Sequence, residues 1–297
     1  MKRAMKRTDF LEHVGWTGLG LAYTIGASGL VTAPASAADT LTFVQISDSH
    51  IGFHQAPNTN PESTLKMAVD AINALPVQPK FVIHTGDVTH LSKPAQYDSA
   101  KQILGTLRAP LMVIPGEHDV IGDDGLKTYF QNFARKDAPG GWYSFDLGGA
   151  HYVAIVNVFN FEKMGLIGKE QLDWVRKDLA AQKSSTPIIV FGHVPLYTVY
   201  QPWGWLTEDG AQVISMLQRF DNVTVLNGHI HQILEHTEGK VQFRTAAGTA
   251  YPQPAPGMAA APGPVADLPP DKLLSTLAYR QITIDGGKIA LSDKMLG

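Results

Sequence analysis

Five short apolar segments of this 297-residue chain end in glycine or serine, and ionisable side chains follow each of them at once. These side chains are Asp48, His50, Asp87, Glu117, His118, Asp119, His193, His229 and His231. Continuous apolar segments of this length are typical of buried strands in a sheet that is covered on both faces. Because ligands gather beyond the carboxyl ends of such strands, we expect these residues to converge on one site.

The chemistry of this set is that of a metal centre. Seven residues are the predicted ligands: Asp48, His50, Asp87, Glu117, His193, His229 and His231. Nitrogen and oxygen ligands without sulfur suit Fe, Mn or Zn, and the chain contains no cysteine. Seven groups are too many for one tetrahedral ion but suit two ions that share a bridging ligand. Two such ions can stabilise both the attacking and the leaving oxygen of a phosphoryl displacement.

The elements that must position these residues follow an α/β pattern. The predicted strands are 41–47, 80–86, 110–116, 186–192, 222–228, 232–237, 240–246, 278–284 and 288–293, with a hairpin over 141–158. The predicted helices are 61–75, 94–107, 125–135, 168–182 and 207–219. The segment 252–272 is rich in proline and alanine, which predicts a surface excursion without a core of its own.

The order of the motifs D-x-H, G-D, G-N-H-[D/E], G-H and G-H-x-H resembles that of calcineurin-like metallophosphoesterases over about residues 41–246. The resemblance implies an α/β fold, a four-layer αββα sandwich of two mixed β-sheets flanked by helices. It also implies a dinuclear metal-dependent hydrolase of phosphoric ester bonds. Residues 38–297 would form this domain, with two divalent or trivalent ions of Fe, Mn or Zn as cofactors.

The resemblance further implies a role for each motif residue. Asp48, His50 and His231 would hold one ion, His193 and His229 the other, and Asp87 would bridge both. A metal-bridging hydroxide would attack phosphorus. His118 would protonate the leaving oxygen as general acid, and Asp119 would orient it. An alternative for Asp119 is a plain helix N-cap.

Glu117 departs from the family pattern, which has asparagine at this position as a ligand of the second ion. The additional negative charge lowers the net charge of the centre. A dianionic monoester is then attracted less than a monoanionic diester, so we expect small phosphodiesters to be the favoured substrates. Two alternatives stay open: a phosphomonoesterase or nucleotidase, and a non-catalytic protein that binds metal or phosphate.

Several aromatic residues near the predicted site could contact substrate. They are His54, His90, Tyr197, Trp203 and Trp205. The tyrosine and the two tryptophans lie in one segment after His193, and they could form a rim that stacks on a flat group. The alternative is a loop that is pinned by its own aromatic side chains.

The first 37 residues read as an export signal, with Lys2, Arg3, Lys6 and Arg7 before an uncharged, glycine-rich stretch. The segment KRTDFL resembles a twin-arginine signal with lysine in the first position, and cleavage is expected near Ala37. We therefore predict a periplasmic protein without a membrane span after cleavage, with an uncleaved anchor as the alternative. Only 17 % of residues are charged and the formal net charge is −3, so a nucleic acid partner is not expected.

Overall fold

The computed structural model describes residues 40–121, 126–133, 135, 137–159 and 164–297. The export segment predicted over residues 1–37 lies outside the described residues. The strands are β1 (Leu41–Ile46), β2 (Val82–His84), β3 (Leu111–Val113), β4 (Tyr143–Leu147), β5 (Ala150–Ala154), β6 (Ile188–Phe191), β7 (Val223–Asn227), β8 (Glu235–Glu238), β9 (Val241–Thr245), β10 (Ala278–Asp285) and β11 (Lys288–Met295). The helices are α1 (Pro61–Asn73), α2 (Pro94–Leu104), α3 (Leu126–Phe133), α4 (Lys169–Ala180) and α5 (Gly210–Leu217).

The strands form two mixed sheets. The first has the order β11-β10-β1-β2-β3 and the second the order β4-β5-β6-β7-β9-β8. Parallel pairs occupy β1 to β3 in the first sheet and β5, β6, β7 and β9 in the second. The remaining strands pair antiparallel at the edges. One apolar cluster fills the space between the sheets, and two others lie between each sheet and its helices. The predicted αββα sandwich is therefore confirmed.

Strand β1 is apolar on both faces because each face packs against a buried layer. Phe43 stacks on Phe81 with ring centroids 4.7 Å apart, and it meets Phe191 of the other sheet edge-on at 5.9 Å. Val44 and Ile46 point to the opposite face and pack in the cluster with α1 and α2. Burying each of these side chains contributes about 1.5–3 kcal/mol, which fixes the strand that delivers the first site residues.

Helix α1 is positioned by a clear start signal and one apolar face. The Asn60 Oδ1 atom accepts a hydrogen bond of 3.0 Å from the Ser63 amide, and Pro61 opens the helix. The face that it buries carries Leu65, Ala68, Val69 and Ile72. This spacing is that of an amphipathic helix, and it anchors the loop that leaves β1.

Residues 252–269 form no strand or helix and are largely exposed, with Met258 at 79 % exposure. The predicted segment 252–272 ends in a 3₁₀ helix over Pro270–Thr276. No helix in the described part of the chain combines the length and apolarity that crossing a bilayer requires.

Candidate metal centre

The seven predicted ligands lie in loops that leave the carboxyl ends of β1, β2, β3, β6 and β7. The first sheet contributes Asp48, His50, Asp87 and Glu117, and the second sheet contributes His193, His229 and His231. All seven are at most 5 % exposed. The structure thus brings together residues that are up to 183 positions apart in the sequence.

Four of them form one group whose ligand atoms lie within 4.8 Å of one another: Asp48, His50, Asp87 and His231. The Nε2 atoms of His50 and His231 are 3.1 Å apart. The Oδ1 atom of Asp48 lies 3.3 Å from Nε2 of His231, and Oδ2 of Asp87 lies 3.5 Å from Nε2 of His50. Two carboxylates and two imidazoles therefore face a single point.

Glu117, His193 and His229 form the second group. The Glu117 Oε2 atom lies 2.8 Å from Nε2 of His193, and its Oε1 atom lies 2.7 Å from Nδ1 of His229. Oδ2 of Asp87 is also 3.5 Å from Nε2 of His193. One oxygen of Asp87 consequently faces both groups.

The donor atoms of the second group fit a bound cation. Glu117 Oε2, His193 Nε2 and both ring nitrogens of His229 are buried, and apart from the ion-pair contacts of Glu117 and Asp87 with these rings they have no hydrogen-bond partner. A buried polar atom without a partner costs roughly 1–3 kcal/mol, so such atoms are rare unless something binds them. Nitrogen and carboxylate oxygen are the ligands that Fe, Mn and Zn accept. The residues therefore suit a metal ion.

Outer hydrogen bonds orient two of the imidazoles. The Nδ1 atom of His193 donates to the carbonyl of Thr85 over 2.6 Å, and that of His231 donates to the carbonyl of Tyr251 over 2.7 Å. In the neutral form of each ring, the lone pair of Nε2 is thereby turned to the site. Backbone acceptors of this kind fix the tautomer of metal-binding histidines.

The backbone is strained where it presents the ligands. Five of the seven predicted ligands have positive φ angles: Asp48 at 52°, His50 at 40°, Asp87 at 55°, His229 at 68° and His231 at 55°. This left-handed conformation costs an ordinary residue roughly 1–2 kcal/mol. Strain of this kind persists where the surroundings enforce it, and it clusters at functional sites.

Two glycines of the motifs lie so close to a neighbouring loop that a side chain would not fit. A Cβ atom on Gly116 would lie 2.1 Å from Oδ1 of Asp87, and one on Gly228 would lie 2.1 Å from Oγ of Ser47. Neither glycine has a positive φ angle. Their role is therefore to let the loop of one strand pass directly against the loop of another.

His118 lies beside this site and is half-buried. Its main-chain amide donates to Oδ1 of Asp87 over 2.8 Å, and its Nδ1 atom donates to the carbonyl of His90 over 2.7 Å. Burial lowers the pKa of His118, but the carboxylates of Asp87 and Glu117 outweigh burial and raise it. The ring is thus poised to carry a proton on Nε2.

The sequence model of the calcineurin-like phosphoesterases matches residues 41–233. This chain belongs to that family. It is 25 % identical over 196 residues to a glycerophosphodiester phosphodiesterase of Enterobacter lignolyticus, covering 63 % of this chain and 68 % of the relative. It is also 25 % identical over 213 residues to a "probable cyclic nucleotide phosphodiesterase" of Ruthia magnifica, covering 70 % and 86 %.

Solved structures of the same fold are similar to this calcineurin-like phosphoesterase. A dimetal phosphatase from Danio rerio superposes with a TM-score of 0.58 at 14 % identity, covering 86 % of this chain and 99 % of the other. A purple acid phosphatase from yellow lupin gives a TM-score of 0.60 at 14 % identity, covering 86 % and 52 %. At this identity both show the fold alone. By family the chain is a metal-dependent phosphoesterase, a hydrolase of phosphoric ester bonds, and its buried groups fit a dinuclear site.

Two carboxylates of this phosphoesterase are held in the ionised form. Burial favours the neutral form of Asp48, but His231 beside it outweighs burial and lowers its pKa to about 2. Burial likewise opposes ionisation of Glu117, and the imidazoles of His229 and His193 hold its pKa well below the usual value. Both side chains can therefore offer charged oxygens to cations at neutral pH.

The side chain of Asp119 bonds to main-chain amides around the predicted site. Its two oxygens accept hydrogen bonds of 2.8–3.1 Å from the amides of Val88, Thr89 and Gly116, and one also accepts from the Thr89 hydroxyl. The Nδ1 atom of His118 donates to the His90 carbonyl. Asp119 joins the loop after β2 to the turn after β3, and its role in orienting His118 stays a prediction.

The aromatic residues after His193 pack mainly against the protein itself. Trp205 is 1 % exposed and meets Trp203 edge-on at 4.8 Å. Tyr197 stacks on His236 at 4.3 Å and packs against the cluster under the second sheet. Trp205 is therefore buried within its own loop, where its ring also meets that of His229 edge-on at 6.3 Å. A contact of Tyr197 or Trp203 with substrate stays a prediction.

The two other predicted contacts differ in position. His54 is exposed, and its Nδ1 atom lies 3.3 Å from the carbonyl of Thr59, away from both ligand groups. His90 lies against the site, because it belongs to a third group of close imidazoles with His50 and His118. Of the two, only His90 meets the predicted ligands.

Sequence reasoning missed two residues that follow β9. The Tyr251 ring stacks on that of His231 at 4.6 Å, and Nε2 of Gln253 donates to the carbonyl of His229 over 2.9 Å. Tyr251 stands outside every motif, and Gln253 opens the proline-rich segment, so no periodicity or spacing marked either. Only their position, just after the last strand that leads to the site, could have drawn attention to them.

Proposed function

We propose that this phosphoesterase hydrolyses small phosphodiesters at a centre that holds two ions of Fe, Mn or Zn. The proposed ligands are Asp48, His50 and His231 for one ion, Glu117, His193 and His229 for the other, and Asp87 for both. The observation that carries the proposal is the single Asp87 oxygen at 3.5 Å from Nε2 of both His50 and His193. That geometry suits a bridging carboxylate.

The chain's own residues then divide the remaining work. The bound ions supply positive charge that polarises the phosphoryl group and acidifies water. The buried carboxylates and imidazoles hold that charge in a fixed place with little bulk water around it. His118 keeps Nδ1 bonded to the His90 carbonyl, so its transferable proton is carried by Nε2. That proton neutralises the leaving oxygen, as a general acid does.

Glu117 supports a preference for diesters. Two divalent ions carry four positive charges, and the three carboxylates of the site return three negative ones. An asparagine at position 117 would leave one more positive charge, which attracts a dianionic monoester more than a monoanionic diester. The relatives whose names are glycerophosphodiester and cyclic nucleotide phosphodiesterases point in the same direction.

The substitution Glu117→Asn tests this charge argument. We expect kcat/KM for p-nitrophenyl phosphate to rise relative to that for bis-p-nitrophenyl phosphate by about tenfold, or ~1.4 kcal/mol. Glu117→Gln is the matched control, because it removes the charge and keeps the length of the side chain. An equal change for both substrates, or no change in either variant, contradicts the charge argument.

Measurements of metal content and turnover distinguish a hydrolase from the non-catalytic alternative. Elemental analysis of the purified protein should find about two transition-metal ions per chain. Hydrolysis of bis-p-nitrophenyl phosphate should then be measured with added Mn, Fe, Zn or Co. Bound metal without turnover under any of these conditions favours a metal or phosphate receptor. Faster turnover of monoesters than diesters favours the phosphomonoesterase.

We also propose that the protein is exported to the periplasm and cleaved near Ala37. The basic start, the uncharged glycine-rich stretch and the small residues Ala35, Ser36 and Ala37 support this. Cell fractionation and mass spectrometry of the mature protein test it. A protein that retains residues 1–37, or stays in the cytoplasm, contradicts the proposal.

A further inference from the structure

His90 contacts a predicted metal ligand through its ring. Its Nδ1 atom lies 3.3 Å from Nδ1 of His50. His50 turns its other nitrogen, Nε2, to His231 at 3.1 Å and to Asp87 at 3.5 Å. When Nε2 of His50 offers its lone pair to the site, the ring proton lies on Nδ1, and it is donated to Nδ1 of His90.

His90 contacts the predicted general acid in two further ways. Its ring lies almost parallel to that of His118, with centroids 4.9 Å apart and 13° between the planes. Its carbonyl oxygen accepts the 2.7 Å hydrogen bond from Nδ1 of His118. The ring face limits where the imidazole of His118 can move, and the carbonyl fixes its tautomer.

The loop that carries His90 is held on several sides. The His90 amide donates to the carbonyl of Ile51 over 3.0 Å, and the Leu91 amide donates to Oε1 of Gln96 over 2.8 Å. The ring of Phe53 meets that of His90 edge-on at 5.2 Å. His90 therefore has a fixed position, which a residue that orients others requires.

We propose that His90 is a positioning residue that orients both the metal ligand His50 and the proton donor His118. This inference rests on the proposed function. It replaces the expected role of His90 as a substrate contact, because Nδ1 of the ring faces His50 and one ring face covers His118. Its ring acts on His50 by hydrogen bonding and on His118 by packing, so the two effects can be separated.

The variant His90→Phe keeps the aromatic face and removes the hydrogen-bond acceptor. We expect the affinity for Mn²⁺, measured by calorimetry on the metal-free protein, to fall about 10–100-fold, as for other outer partners of metal-binding histidines. At saturating Mn²⁺ the dependence of kcat on the leaving group should stay as in the native protein, because the packing on His118 is kept.

The variant His90→Asn keeps an acceptor near the position of Nδ1 and removes the aromatic face. We expect nearly native Mn²⁺ affinity. The rate with diphenyl phosphate, whose leaving group needs a proton, should fall at least about tenfold more than that with bis-p-nitrophenyl phosphate. A residue with a merely structural role would lower both rates alike.

The exposed His236 on β8 supplies matched controls. His236→Phe and His236→Asn should change neither the Mn²⁺ affinity nor the dependence of kcat on the leaving group. The inference would be overturned if both His90 variants lost Mn²⁺ affinity equally and showed the same change in the dependence of kcat on the leaving group. Native behaviour in both variants would also overturn it. Native protein that binds Mn²⁺ without turnover would instead refute the proposed function. The affinity measurements would still decide whether His90 orients His50.

Discussion

Single residues of the site are held in conformations that they would not adopt alone. Asp48 and His50 both have positive φ angles, and the serine between them is fixed from behind. Ser49 Oγ lies 2.6 Å from Nε2 of the buried His84, and it accepts a 3.1 Å hydrogen bond from the Thr249 hydroxyl. His84, at the end of β2, thus supports the strained turn. The surrounding structure thus holds Asp48 and His50 in their strained conformation before any ion binds.

The close approach of Gly116 to Asp87 predicts a sharp effect of one methyl group. In Gly116→Ala the new Cβ atom would clash with Oδ1 of Asp87, so the shared carboxylate must move. We expect Mn²⁺ affinity, measured by calorimetry, to fall at least about tenfold, since small misplacements of ligands are costly.

The control for this prediction is Gly149→Ala, in the turn between β4 and β5. Gly149 has a φ of 77° and nothing within 4 Å of its added Cβ atom. This variant should lose about 1 kcal/mol of stability from backbone strain and keep native Mn²⁺ affinity. If both variants bind Mn²⁺ equally well, the steric argument fails.

At the scale of elements, the sequence located every strand and α-helix among the described residues. The five strands that lead to the site end earlier than predicted, whereas β8, β10 and β11 end one or two residues later. The strand predicted over 80–86 ends at His84, and the one over 110–116 ends at Val113. The chain leaves the sheet early because the residues that follow turn toward the site, and apolar periodicity does not record that turn. The motif residues were predictable from their order. The contacts of Asp119 and His90 were not, because pairing between two loops leaves no local pattern.

The hydrogen bonds that Asp119 accepts from main-chain amides predict that its loss affects stability more than proton transfer. In Asp119→Asn the amide group would face the amides of Val88 and Gly116, which are themselves donors. We expect the free energy of unfolding in urea to fall by about 2–4 kcal/mol, while the leaving-group dependence of kcat is kept.

The exposed Asp137 provides the comparison, and Asp137→Asn should stay within about 0.5 kcal/mol of the native protein. A selective loss of rate with poor leaving groups in Asp119→Asn would restore the role that the sequence first suggested for this residue.

A pH-dependent contact joins the β4–β5 hairpin to α4. The Nδ1 and Nε2 atoms of His151 each lie 2.7 Å from a carboxylate oxygen, of Asp146 and Asp178 respectively. Burial lowers the pKa of His151, but the two carboxylates outweigh burial and raise it. A raised pKa in the folded state stabilises the fold fully below the unfolded value of about 6.5, and this contribution is lost as pH rises through the folded value.

The variant His151→Gln should therefore be less stable than the native protein at pH about 6, with a difference that shrinks at about pH 9. Urea unfolding at both values measures it. A difference that is independent of pH would show that His151 acts by packing alone.

At the scale of the whole molecule, the site lies where the two sheets meet. The first sheet contributes four predicted ligands and the second contributes three, so each ion would be held by both sheets. An apolar cluster between the same two sheets also joins them. A metal centre held by these residues would also join the two sheets, so ion binding should stabilise the fold as a unit.

Removal of the metal should consequently lower the melting temperature. An ion present at one hundred times its Kd adds about 2.7 kcal/mol, and about 2–4 °C accompanies each kcal/mol in a domain of this size. We expect chelation of the Mn²⁺-loaded protein to lower Tm by roughly 5–10 °C, as followed by scanning calorimetry. Asp87→Asn should show a much smaller shift, because the oxygen that faces both groups loses its charge. An equal shift in both proteins would mean that the ions bind elsewhere. If Asp87 holds the ions, its replacement must remove most of the stability that the metal adds.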